Sequence, residues 1–271
     1  MNKKIITAEP DALIDYLRKI WQYLPLVVVF AKRDLKVKYA QTFLGLSWTV
    51  LQPLTSLAIF TFFFGYVLKW KAGDIPYPIY VLSGLLGWNF FSYIVYQGSS
   101  SIQESGNIIK KIYFPKIIIP LSKVYLAMAE LLITLLLLIP LLIWYGQSIS
   151  WHIIFIPFIL FFNTAIALAV VLFISSLAYK RRDVFHLVPY LMYFGIWLTP
   201  VFFSKSVLPK QINFIWFCNP MASVVEGWRW CLFPEWGYDW HSLPALLLSV
   251  PFFITAFTLY KKTENAFSDY V

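Results

Sequence analysis

From Phe43 the chain carries no charged side chain until Lys69. As a helix rising ~1.5 Å per residue, that stretch crosses the ~30 Å hydrocarbon core of a bilayer. Immediately before it stand Lys32, Arg33, Lys36 and Lys38, in KRDLKVKYAQTFLGLSWTVLQP (Lys32 to Pro53). These side chains cannot cheaply enter hydrocarbon, so the segment turns from water-facing to membrane-spanning within a few residues. The fold class that follows is an all-α integral membrane protein with the basic flank on the cytoplasmic side. Composition agrees: 60% of residues are hydrophobic and 13% charged, against ~25% charged in an ordinary soluble domain. The net charge of +9 does not point to nucleic acid, because the positive residues sit in short blocks beside apolar runs, as topology signals do.

Six spans are expected: Phe43 to Leu68, Ile79 to Gln97, Ile117 to Tyr145, Ile153 to Tyr179, Val184 to Phe203 and Leu243 to Tyr260. With both termini inside, 17 of the 22 Lys and Arg fall on cytoplasmic segments, and this asymmetry sets the orientation. The organisation is a cytoplasmic N-terminal segment (1–42), a six-span domain (43–260) and a short cytoplasmic tail (261–271). No apolar signal region occupies the first twenty residues, so insertion is expected to rely on the spans. Leu13, Leu17, Ile20 and Leu24 recur at helical spacing opposite Asp11, Asp15, Arg18, Lys19 and Gln22. They predict an amphipathic interfacial helix with Pro10 in its first turn and an end or kink at Pro25.

Two links carry more than a connection. Ser99 to Lys116 interleaves Ile108, Ile109, Ile112, Tyr113 and Phe114 with Lys110 and Lys111, a pattern that suits either a helix docking in a partner's groove or one held by lipid. Ser204 to Ser242 is long, aromatic and broken by Pro209, Pro220 and Pro234, which predicts short re-entrant helices over a protein-shielded cavity. Cys218 and Cys231, both in this link, are either two apolar thiols or one disulfide.

Motifs for catalysis are lacking. There is no G-x-x-x-x-G-K-[ST], H-E-x-x-H, G-x-S-x-G or D-x-D, and the three histidines are far apart in sequence. No catalytic or metal-binding set is therefore expected, and this chain does not itself cradle a nucleotide. Glu130 stands inside the third expected span, where an unpaired carboxylate costs at least ~2.5 kcal/mol. It must be neutral, face water or pair with Lys123 or with a lysine of another helix. Glu226 and Arg229, spaced i, i+3, suit a local ion pair. Trp48, Phe60, Phe62, Tyr190, Tyr193, Phe194 and Trp197 lie within spans. Their rings either pack ordinarily or offer faces on which sugar rings slide.

Read as strings, RDLKVKYAQTFLGLSWTVLQPL, PYPIYVLSGLLGWNFFS, NIIKKIYFPKIIIPLS, YKRRDVFHLVPYL and NPMASVVEGWRW resemble, in that order, the permease subunit of ABC-type exporters of lipid-linked polysaccharide. That family exports O-antigen, capsule or teichoic acid. The resemblance implies a homodimer in the bacterial inner membrane, served by two ATP-binding cassette subunits that hold the ATP and Mg. It implies a polyprenyl pyrophosphate glycan as substrate, its headgroup met by Lys32, Arg33, Lys36 and Lys38. It also places the coupling to the ATPase at Ile108, Lys110, Lys111, Tyr113 and Phe114, and an outer gate at Glu226 and Arg229. A permease for a drug or small amphiphile, a membrane glycosyltransferase and a structural scaffold are the rival readings.

Overall fold

The computed structural model describes residues 13–40, 42–70, 75–181, 183–203, 216 and 218–267. The N-terminal residues around Pro10, the stretch 204–215 of the aromatic link and the last four residues lie outside that set.

The amphipathic segment and the basic block form one 27-residue helix, α1 (Leu13–Tyr39), which runs through Pro25 instead of ending there. An interior proline removes one backbone donor and crowds the preceding turn. Buried side chains on both sides of it, Tyr16 and Phe30, hold the helix regardless. A 3-10 turn, Gly45–Ser47, leads into α2 (Trp48–Phe60), which widens into a π-helical stretch, Thr61–Val67. The first span thus begins five residues later than the charge-free run suggests. It is also the span with the least of its surface covered.

The centre of the molecule is α3 (Tyr77–Ser99), most of whose residues are buried. Two single-turn helices, α4 (Ser101–Glu104) and α5 (Gly106–Ile109), lead from it to α6 (Ile118–Trp144). The end of α6 is set by Gly146, which adopts φ +64°. There the amide of Gln147 donates to the carbonyl of Leu142 at 2.9 Å, and that of Gly146 to Ile143 at 3.2 Å. This is a Schellman closure, which needs the left-handed residue that glycine supplies most cheaply. A 3-10 turn then opens α7 (Ile156–Ala178), followed by α8 (Val184–Gly195), α9 (Pro220–Leu232) and α10 (Leu243–Thr263).

Among the described residues, five segments are long and apolar enough to cross a membrane: Trp48–Val67, Tyr77–Ser99, Ile118–Trp144, Trp151–Ala178 and Trp240–Thr263. The expected span from Val184 to Phe203 is instead the 12-residue α8 followed by turns. Twelve helical residues rise only about 18 Å. Beyond Gly195 the amides of Trp197, Leu198 and Thr199 donate to carbonyls three residues back instead of four, so the α-helix stops before Pro200 is reached. The last span also runs past Tyr260 to Thr263, so the boundary placed at residue 260 falls inside a helix.

The apolar core forms two clusters. The larger joins α3, α6, α7 and α9, with Tyr80, Leu82, Leu86, Val171 and Trp228 at its centre. Asn163 of α7 is wholly buried there and donates from Nδ2 to the carbonyl of Gly87 at 3.0 Å, the kind of polar contact that joins helices in hydrocarbon. The smaller cluster gathers Tyr16, Phe30, Ile109, Phe114, Leu172, Tyr260 and Phe267. It brings α1, the α5 region and the ends of α7 and α10 to one end of the molecule, called here the basic end.

Candidate functional site

Five polar or tyrosine side chains of α3 recur at helical spacing: Asn89, Ser92, Tyr93, Tyr96 and Gln97. Spacings of three, four, seven and eight residues put them on one face. That face meets Thr49 and Gln52 of α2 and Glu130 and Thr134 of α6, enclosing a cavity of about 360 Å³ roofed by Lys38. Its volume falls within the ~300–1,000 Å³ of small-molecule sites. It lies within otherwise apolar spans and opens past Lys38, Gln52 and Tyr96, which are exposed.

The partner of Glu130 is Lys38, whose Nζ lies 2.5 Å from Oε1 and 4.8 Å from the centroid of the Tyr93 ring. Lys123, the candidate on the same helix, points elsewhere and pairs with Asp34 at 2.7 Å. Asp34 also accepts from Arg33. Two ion pairs therefore tie α1 to α6, with acid then base along α1 and base then acid along α6. The basic block is consequently not uniform. Arg33 and Lys38 are engaged with carboxylates, whereas Lys32 and Lys36 are exposed.

Two turns further along α3 lies a second polar centre. Arg229 of α9 is fully buried; its Nη1 donates to Glu226 Oε1 at 3.0 Å and its Nη2 to the Val201 carbonyl at 2.9 Å. Its guanidinium lies 3.7 Å from the centroid of the Tyr80 ring, and Trp236 Nε1 donates to the other Glu226 oxygen at 2.6 Å. Gly84 makes room for this: a Cβ there would meet Arg229 Nη2 at 2.7 Å and the Val201 carbonyl at 2.9 Å. The start of α9 is fixed by Asn219, whose Oδ1 accepts from the Met221 amide at 2.9 Å and whose Nδ2 donates to the Leu198 carbonyl at 2.9 Å. Glu226 and Arg229 thus form the expected ion pair within α9, and the bond from Arg229 to the Val201 carbonyl ties that helix to the segment after α8. Both cysteines are free thiols, and burial pushes the Cys231 thiol up to about 12.

At the basic end the segment expected to meet a partner divides. Lys110, Lys111, Ile112 and Tyr113 are exposed and Ile108 is half-buried. Phe114 is not an outward anchor, because only 4% of its surface is exposed and its ring packs on Phe30 at 5.4 Å. It pins the segment to α1. Glu264 reinforces the same place by accepting from the backbone amide of Lys116.

The aromatic residues expected along a path are not gathered in the cavity. Trp48, Phe62, Tyr190, Tyr193, Phe194 and Trp197 are exposed on α2, on its π-helical extension, on α8 and just beyond α8, while Phe60 stacks on Phe202 at 3.8 Å. The residues that do line the cavity were missed except for Lys38 and Glu130. Their signal was the helical spacing of uncharged polar groups on α3.

Over residues 25–233, a range holding every lining residue of the cavity, the chain matches the family described as ABC-2 type transporter. It is 26% identical over 260 residues to "O-antigen export system permease protein RfbA" of Myxococcus xanthus, covering 95% of this chain and 99% of that one. A protein of the same description from Klebsiella pneumoniae is 30% identical over 206 residues, with 75% and 78% covered. "Polysialic acid transport protein KpsM" of Escherichia coli is 24% identical over 242 residues, with 86% and 92% covered. A family match of that extent, on a bundle of long apolar helices, places the protein in a class: it belongs to the ABC-2 type transporter family.

Proposed function

We propose that the chain is the membrane permease subunit of an ATP-driven exporter of lipid-linked polysaccharide. The observation that carries this reading is a charge-paired, polar cavity set among apolar spans, in a chain that aligns over 95% of its length with an O-antigen export permease. Two copies enclose the glycan path, and two separate ATPase subunits bind ATP and Mg. The open side of the cavity, the sparsely covered α2 and the outward aromatics of α8 support a second copy. The Lys and Arg distribution supports a cytoplasmic basic end, and the bacterial relatives support a bacterial inner membrane. Deleting the gene should abolish surface glycan while lipid-linked glycan accumulates inside the cell. Normal surface glycan in the deletion strain would contradict the reading.

The ATPase docks on Lys110, Lys111, Ile112 and Tyr113, the exposed part of the segment between α5 and α6. Tyr113→Ala should lower recovery of the ATPase with the purified permease and leave thermal stability unchanged. Phe114→Ala should instead lower stability, by about 3–5 kcal/mol for a buried phenyl ring. Equal recovery of the ATPase with the Tyr113 variant would move the docking site elsewhere.

The pyrophosphate headgroup of the substrate is met by the basic block, and Lys32 and Lys36 are its best-placed members because they are exposed and, among the described residues, pair with no carboxylate. Lys36→Gln should reduce export at normal expression, whereas Arg33→Gln should act mainly by loosening Asp34 between α1 and α6. Export by the Lys36 variant at the wild-type level would reduce the block to a topology signal that attracts anionic lipid at ~1 kcal/mol per residue.

A further inference from the structure

The cavity carries two charged side chains among its described lining residues, Lys38 and Glu130, and they neutralise each other. Everything else polar around it is uncharged. The amides of Gln52, Asn89 and Gln97 each offer both donors and acceptors, and the hydroxyls of Ser92 and Thr134 do the same. Tyr93 and Tyr96 add ring faces. Such a lining complements a hydroxyl-rich, electrically neutral molecule. An anionic one would have to displace Glu130 from Lys38 and then lie beside a bare carboxylate in a half-open, partly covered cleft, where like charges repel.

Resting on the export reading above, we infer that this cavity is a binding site for neutral sugar units of the translocated glycan and discriminates against acidic ones. Gln52, Asn89 and Gln97 supply the hydrogen bonds, Tyr93 and Tyr96 the stacking faces. The Lys38–Glu130 pair excludes acidic sugars by occupying the cation that would attract them. Among polymers handled by the relatives, this favours a neutral O-antigen over a polysialic acid.

The test uses the full chain in lipid nanodiscs with Cys218→Ser as background, which removes the exposed native thiol. A reporter thiol is placed in the cavity by Ser92→Cys or, on the opposite wall, Thr134→Cys, and Asn107→Cys, exposed in α5 outside the spans, serves as control. Labelling by a hydrophilic maleimide is followed with mannotetraose, a neutral probe, or with a sialic acid tetramer. Mannotetraose should slow labelling of the cavity thiols several-fold and leave the control unchanged, while the sialic acid tetramer should slow neither. Equal or greater protection by the acidic tetramer would overturn the charge selectivity. Reactive cavity thiols protected by neither probe, or thiols that never react, would overturn the sugar site. The deletion strain separates these failures from that of the export reading: lost surface glycan alongside unprotected thiols removes only the cavity's role.

Discussion

Replacing Arg229 by Met should destabilise the protein by about 3–5 kcal/mol, the cost of removing one partner from a buried ion pair. The size follows from what is left behind. Arg229 is fully buried, and its two donated bonds satisfy Glu226 and the Val201 carbonyl. A shorter thioether leaves the guanidinium's place unfilled and donates nothing, so among the described residues the carboxylate keeps only Trp236 and the carbonyl loses its side-chain donor. Arg229→Lys should recover part of the loss, since an ammonium restores the charge but not the planar fork that reaches both acceptors. Gly84→Val should resemble Arg229→Met, because its Cβ would displace the same guanidinium. Thermal unfolding in detergent, read as the fraction remaining monodisperse after heating, checks all three. Wild-type stability in the Arg229→Met protein would mean that this centre does not hold α9 in place.

Much of this architecture was legible because hydrocarbon imposes a simple rule on sequence. Long apolar runs gave all five segments now seen to be long enough to span, with their ends placed to within a few residues. The failures have local causes. Val184 to Phe203 carries no Asp, Glu, Lys or Arg, so its hydropathy does not reveal that the α-helix ends at Gly195. Pro25 was expected to end or kink α1, and the helix does not end there because a proline's local cost is outweighed by Tyr16 and Phe30, whose burial depends on α6, the segment after α5 and α10. Phe114 sits in a segment too short for periodicity to tell its inward face from its outward one. Glu130 was conspicuous, yet its choice of Lys38 over Lys123 is settled by which lysine α1 delivers to α6. Arg229 was readable as a neighbour of Glu226, but the Tyr80 ring and the Gly84 gap come from a helix more than a hundred residues earlier. Contacts of that separation leave no trace in spacing.

The largest effect expected of the export account is all-or-none. Proteoliposomes holding the permease with its ATPase, and a polyprenyl pyrophosphate-linked glycan in the outer leaflet, should move that glycan inward only when ATP and Mg are supplied outside. The permease carries no phosphate-cradling loop, so vesicles with this chain alone should neither hydrolyse ATP nor transport. An ATPase partner whose phosphate-loop lysine is changed should likewise leave the glycan where it was. The direct measurement is protection of the glycan from an added endoglycosidase. The account predicts protection that grows with time in ATP and is absent without it. Steady ATP hydrolysis by the complex, with the glycan remaining fully digestible, would contradict the claim that this chain carries polysaccharide across the membrane.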